Sequence, residues 1–294
     1  MTTVAETHTP FTIEEPPGRV GLRGAMAAEW TKLWSVRSTM WTLLATGLAV
    51  LGLCVLSTAT INHSEIIDDP TRRSLVGIFL GQLIFGVLGV LVMSAEYGTG
   101  TIRATLSAIP RRPVVLSAKI VVFGAVAIVV SEIFTFGAFA IGQAILSAKH
   151  ALGTADIVNR FGGKFGPPNA LHSGVAVPHN IQSLLSSGSA SLGQPGVVRA
   201  VAGAGLYLAV LGLLALGLAT IIRHTAGAIS AFVGVVLVLP LIVQALPTSI
   251  NNAVARYLPM NIGLVLFSTH GAPDHIGSAF SPWTGFALLV VYMG

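Results

Sequence analysis

Residues 94–119 read SAEYGTGTIRATLSAIPRRPVVLSAK, a basic and punctuated segment set between two apolar runs. Glu96 closes the run before it, and Gly98 and Gly100 break the helix and let the chain turn. Ile102, Leu106 and Ile109 then recur at i, i+4 and i+7, with Arg103 and Ser107 off that stripe, which predicts a short amphipathic helix. Pro110 stops it, Arg111 and Arg112 lie at the surface, and Pro113 can open the next helix at its first turn. A basic loop that merely sets topology accounts for the charge equally well but leaves the stripe unexplained. The residues alone leave both readings open.

The runs on either side fix the class. The chain of 294 residues is 53% hydrophobic and 9% charged, with a mean hydropathy of +0.81. A soluble domain carries about 25% charged residues, so this composition is that of a membrane protein. The net charge of +5 comes from scattered Lys and Arg with no basic stripe, which excludes a nucleic-acid partner and fits basic cytoplasmic loops. Cys54, the single cysteine, lies in an apolar run and has nothing in the chain to pair with.

A spanning helix needs about 20 apolar residues. Five runs meet that length and a sixth falls short, giving expected spans at about 39–61, 74–95, 114–147, 198–222, 226–246 and 282–294. The last reads as a sixth span that is incomplete. Residues 1–20, polar and carrying three prolines, read as a disordered cytoplasmic start rather than a cleaved signal peptide. Residues 148–197 read as a long outer loop, and Ile262–Phe267 as an apolar patch too short to cross.

Orientation follows from the basic residues near the span ends. With the N-terminus inside, the inner side holds Arg19, Arg23, Lys32, Arg37, Arg103, Arg111, Arg112, Lys119 and Arg223. The first outer loop holds Glu65, Asp68 and Asp69, whereas 97–119 has no acid. The N-terminus is therefore expected in the cytoplasm.

Before the first span, Leu22, Met26, Trp30, Leu33 and Trp34 share one helical face. Residues 21–38 are expected to form an in-plane helix, with Trp30 and Trp34 at headgroup level and Lys32 and Arg37 towards anionic lipid. Glu132 is the acid that lies well inside a span, and it is expected to face the bundle interior or water. It is a candidate for the substrate path, or else a structural hydrogen bond between helices. Gln82, Gln143 and Gln244 read as helix–helix contacts.

Motifs for chemistry are missing. His270, Asp274 and His275 lack any metal-binding spacing, and no G-x-S-x-G is present. There is no G-x-x-x-x-G-K-[ST], so the chain has no P-loop with which to bind ATP.

Three stretches together resemble a known family: AEWTKLWSVRSTMWTL before the first span, EYGTGTIRATLSAIPRRPVVLSAK after the second, and the fourth and fifth spans with their flanks from SLGQPG to VLPLI. They are similar to the permease subunits of type-2 ATP-binding-cassette exporters, especially those of high-GC Gram-positive bacteria, over roughly residues 25–246. The resemblance implies an all-α, six-span permease in the bacterial cell membrane, with an in-plane helix ahead of the first span. It implies that 97–113 is a coupling segment, with Glu96, Thr101, Ile102, Arg103, Leu106, Ile109, Arg111 and Arg112 as ATPase-coupling residues. Arg223 would lie in a second cytoplasmic turn facing the same partner. That partner would be a separate cytosolic ATPase that holds ATP and Mg, and a second permease copy would complete the unit. The long 148–197 loop and the short sixth span depart from the family's pattern. The other readings are an ATP-independent secondary transporter, which would need more intramembrane acids than Glu132, and a membrane anchor or sensor that transports nothing.

Overall fold

The computed structural model describes residues 21–60, 69–109, 111–165, 189–269 and 279–292. Every regular element among these is helical. Five helical stretches are long and apolar enough to cross a membrane: Arg37–Ala59, Ile78–Gly98, Arg112–Lys149, Val197–Ile222 and Thr225–Gln244. The chain is a multi-pass helical membrane protein.

Helix α1, Leu22–Ser35, is followed at once by α2, Arg37–Ala59. Val36 between them is extended (φ −85°, ψ 111°), so the chain changes direction in a single residue. The five-residue α3, Pro70–Ser74, starts on a proline and is capped by Asp69, whose carboxylate accepts from the Arg72 N–H at 3.0 Å. The second span was expected to begin at 74. It begins instead with α4 at Ile78, because α3 ends at Ser74 and a turn over 75–77 separates the two helices.

After α4, Ile78–Gly98, comes α5, Thr101–Ala108, and then α6, Arg112–Phe165. Helix α6 continues beyond its apolar stretch, which ends at Lys149, so the first part of the expected 148–197 outer loop is helical as far as Phe165. Between Pro113 and Pro167 the sequence has no proline to stop a helix, so the helix outlasts its apolar stretch.

The core is built around α7, Val197–Ile222, which packs most extensively against α4 and then against α6. Small residues allow the close approach: a side chain on Gly89 of α4 would run into the Gly212 carbonyl of α7. Phe85, Phe123, Tyr207, Leu208, Leu211 and Phe232 fill the middle. Polar side chains close buried gaps between the helices. The Tyr207 hydroxyl donates to Gln82 Oε1 at 2.7 Å, and Gln143 Nε2 donates to the Pro70 carbonyl and to Ser74 Oγ. Gln244, expected to act in the same way, is exposed.

The fifth span is composite: α8, Thr225–Val233, a π turn over Gly234–Val238, and α9, Leu239–Gln244. Pro240 has no N–H to donate and its ring crowds the carbonyl four residues back, so the helix takes on a wider turn there instead of breaking. Beyond α10, Thr248–Val254, the apolar patch forms α11, Pro259–Leu266. It is too short to cross, as expected, yet it is buried: Leu266 packs on Gly203 and Gly263 on Tyr207, both of α7. The expected span at 282–294 contains α12, Pro282–Val291, an apolar helix of 10 residues.

Candidate functional site: a buried ion ring where three helices meet

Helix α1 turns an unexpected face inward. Its buried residues are Ala25, Glu29 and Leu33, at i, i+4 and i+8. Trp30 and Trp34 point outward, 51% and 47% exposed, with their rings 5.7 Å apart. The tryptophans thus occupy the exposed face on which an interfacial anchor belongs, and Arg37 is exposed as well.

Glu29 sits in a closed ring of alternating charge. Its Oε1 lies 2.8 Å from Lys32 Nζ, and its Oε2 lies 2.6 Å from Lys119 Nζ on α6. Both ammonium groups also donate to Glu96 Oε1 on α4, each at 2.9 Å. The ring joins α1, α4 and α6, and its formal charge sums to zero. Glu29, Glu96 and Lys119 are all buried, whereas the Lys32 side chain is 41% exposed. Burial pulls the Lys32 pKa down, but the hydrogen bonds and charges of Glu29 and Glu96 outweigh it and hold the group above the usual lysine value.

Three expectations change here. Lys32 is held between two carboxylates instead of being directed at lipid. Lys119, counted among the inner-side basic residues, is buried in the bundle. Glu96, expected as an ATPase-coupling residue, is buried and pairs with both lysines. Glu29, Glu96 and Lys119 are buried charges that would each cost several kcal/mol unpaired, and the part-exposed Lys32 completes their neutralisation. The sequence signal for Glu29 was its place at i+4 from Ala25 and i−4 from Leu33, a face that borders the tryptophan stripe at Leu33.

Around the ring lies the punctuated segment. Gly100 is left-handed (φ 71°), a conformation glycine adopts without strain, and it turns the chain out of α4 into α5. On α5, Ile102 and Leu106 are half-buried, as is Ile109 just beyond it, while Thr101 and Arg103 are exposed. Arg111 and Arg112 are exposed where α6 begins. Arg223, between α7 and α8, is exposed and also left-handed (φ 56°). A cavity of about 430 Å³ adjoins the ring, walled by α1, α4 and the first turns of α2 and α5.

Glu132 stands apart from this cluster. It is half-buried on α6, its carboxyl group lies against Gly205 of α7, and its Oε2 has no hydrogen-bond partner among the described residues. Its neighbour Ser131 donates to the Gly205 carbonyl at 2.8 Å. His270, Asp274 and His275 lie outside the described residues.

Comparison with protein-family models, with curated proteins and with solved structures returned no match for this chain.

Proposed function

We propose that this chain is the membrane-spanning subunit of an ATP-driven exporter, worked by a separate cytosolic ATPase that docks on α5. One observation carries the reading: α5 is a short helix set between two long spans, and the residues that flank it are bolted together. Glu96 near the end of α4 and Lys119 near the start of α6 are 2.9 Å apart. A force applied to α5 is therefore delivered to α4, α6 and, through Glu29, to α1 as one body. Rigid elements of this kind are what convert a local push into rearrangement of a bundle.

In this reading Thr101, Arg103 and Arg223, together with Arg111 and Arg112, present the polar docking surface, and the half-buried Ile102 and Leu106 seat α5 against its partner and its own bundle. The ATPase supplies ATP and Mg, and the permease supplies the path. A second permease copy provides the other half of a central route, and Glu132 is the polar group available along it. The sixth span belongs to the same reading, with α12 as its helix, as does the cytoplasmic placement of the N-terminus in a bacterial plasma membrane.

The test uses the full chain purified from its host membranes. The wild-type protein is expected to bring with it a Walker-A ATPase and ATP hydrolysis, and the Ile102→Glu/Leu106→Glu variant to lose both while keeping its thermal stability. Equal retention of ATPase by the two proteins, or its absence from both, overturns the assignment.

A further inference from the structure

The cavity beside the ion ring has two chemically different walls. One is apolar: Leu33 of α1 with Leu88, Leu91, Val92 and Ala95 of α4. The other is polar and carries both signs of charge. Lys32 lines it, and an ammonium has three donors, of which Glu29 and Glu96 use two. Ser38 and Thr101 line it too, in the first turns of α2 and α5, and neither helix has a side-chain cap at its amino end. The Thr39 and Arg103 N–H groups bond the Val36 and Gly100 carbonyls, and the first-turn N–H groups ahead of them have no partner within their own helix; together with the helix dipole these favour an anion.

Glu96 lines the same cavity and is only 7% exposed, and its buried Oε2 has no partner among the described residues. An orphaned carboxylate oxygen calls for an N–H or O–H donor. The site thus offers anion-binding donors and a cation-binding acceptor side by side, next to an apolar wall. At about 430 Å³ the cavity falls within the range of roughly 300–1,000 Å³ typical of ligand sites. Trp30 and Trp34, exposed on the same helix α1, set its depth at the headgroup layer.

We infer that this cavity binds a zwitterionic phospholipid bearing a primary amine, a phosphoethanolamine headgroup. Its phosphate takes the free donor of Lys32 and the amino ends of α2 and α5, its ammonium donates to Glu96 Oε2, and the start of an acyl chain lies along Leu88, Leu91 and Val92. Such a lipid fills the angle between α1 and α4 next to α5. The inference requires only that the chain is in a bilayer and does not depend on an ATPase.

The experiment is native mass spectrometry of the full chain in detergent, titrated separately with dioleoyl phosphatidylethanolamine, phosphatidylcholine and phosphatidylglycerol. Choline has no N–H to donate, and phosphatidylglycerol has no ammonium. Phosphatidylethanolamine is expected to be retained roughly tenfold more strongly than either, the equivalent of one charge-assisted hydrogen bond. Leu91→Trp, which fills the apolar wall, is expected to abolish the preference. If that variant does not fold, Ala95→Phe at a more exposed point of the same wall serves instead. Equal retention of the three lipids, stronger retention of phosphatidylglycerol, or a preference that survives the filled wall overturns the inference.

Discussion

Lys119 Nζ on α6 lies 2.6 Å from Glu29 Oε2 on α1, across 90 positions of sequence, with both side chains almost wholly buried. Removing one partner of such a pair leaves an uncompensated interior charge, a loss of about 3–5 kcal/mol. Lys119→Met is therefore expected to lower thermal stability in detergent sharply. Lys32→Met, at a side chain that is 41% exposed, is expected to do less because water screens that group. A Lys32→Met variant as unstable as Lys119→Met would show that the ring does not divide into buried and exposed members.

The ring also gives a pH dependence whose sign follows from Lys32. Its folded pKa is held above the ordinary 10.5 by Glu29 and Glu96, against the downward pull of burial. A group raised on folding contributes stability in full below its unfolded pKa and loses that contribution as pH rises through the folded value. The stability difference between wild type and Lys32→Met is thus expected to stay level from about pH 6 to about pH 9 and to shrink only in stronger alkali. Melting curves of the two proteins across that range decide it, and a difference already fading near neutrality contradicts it.

The spans were legible because a bilayer demands about 20 apolar residues, and Arg37–Ala59 or Val197–Ile222 shows that demand as plain hydropathy. Helix ends were less so, since hydropathy marks where an apolar stretch stops and not where a helix stops; α6 runs on to Phe165 for that reason. The stripe from Leu22 to Trp34 was readable as a face with its tryptophans at headgroup level, but the face that turns inward, with Glu29, was not. In water such a stripe turns inward. Beside lipid the apolar phase lies outside, so Trp30 and Trp34 face out and Glu29 faces the core. The ring itself was hidden because periodicity relates residues a few positions apart. Nothing local connects Glu29 to Lys119.

Close helix contact in the core depends on glycines that differ in what they touch. Gly89 meets the Gly212 carbonyl of α7, whereas nothing lies within 4 Å of the place a Cβ would take on Gly217. Gly89→Val is expected to force α4 and α7 apart and destabilise by at least about 1–3 kcal/mol. Gly217→Ala, in a helix interior with free space, is expected to be neutral or to stabilise by up to about 1 kcal/mol. Unfolding in a denaturing detergent, followed by circular dichroism, compares the two, and equal losses would contradict the packing of α4 on α7.

Glu132 and Gly205 should behave as a coupled pair. A Cβ on Gly205 would lie 2.6 Å from the Glu132 carboxyl carbon, too close for both to keep their places. Gly205→Ala alone is expected to destabilise by no more than about 1 kcal/mol, because the flexible end of the Glu132 side chain can turn aside. Glu132→Ala alone should change little, because Oε2 makes no hydrogen bond that would be lost. In the double variant the alanine methyl occupies the space the carboxyl has left, so most of the penalty disappears and the pair shows a coupling of about 0.5 kcal/mol or more. Ser131, which holds the Gly205 carbonyl at 2.8 Å, keeps α6 and α7 in register in all four proteins of the cycle. Strictly additive penalties would mean that the Glu132 carboxyl does not rest on α7, and Glu132 would then no longer be the polar group set between α6 and α7.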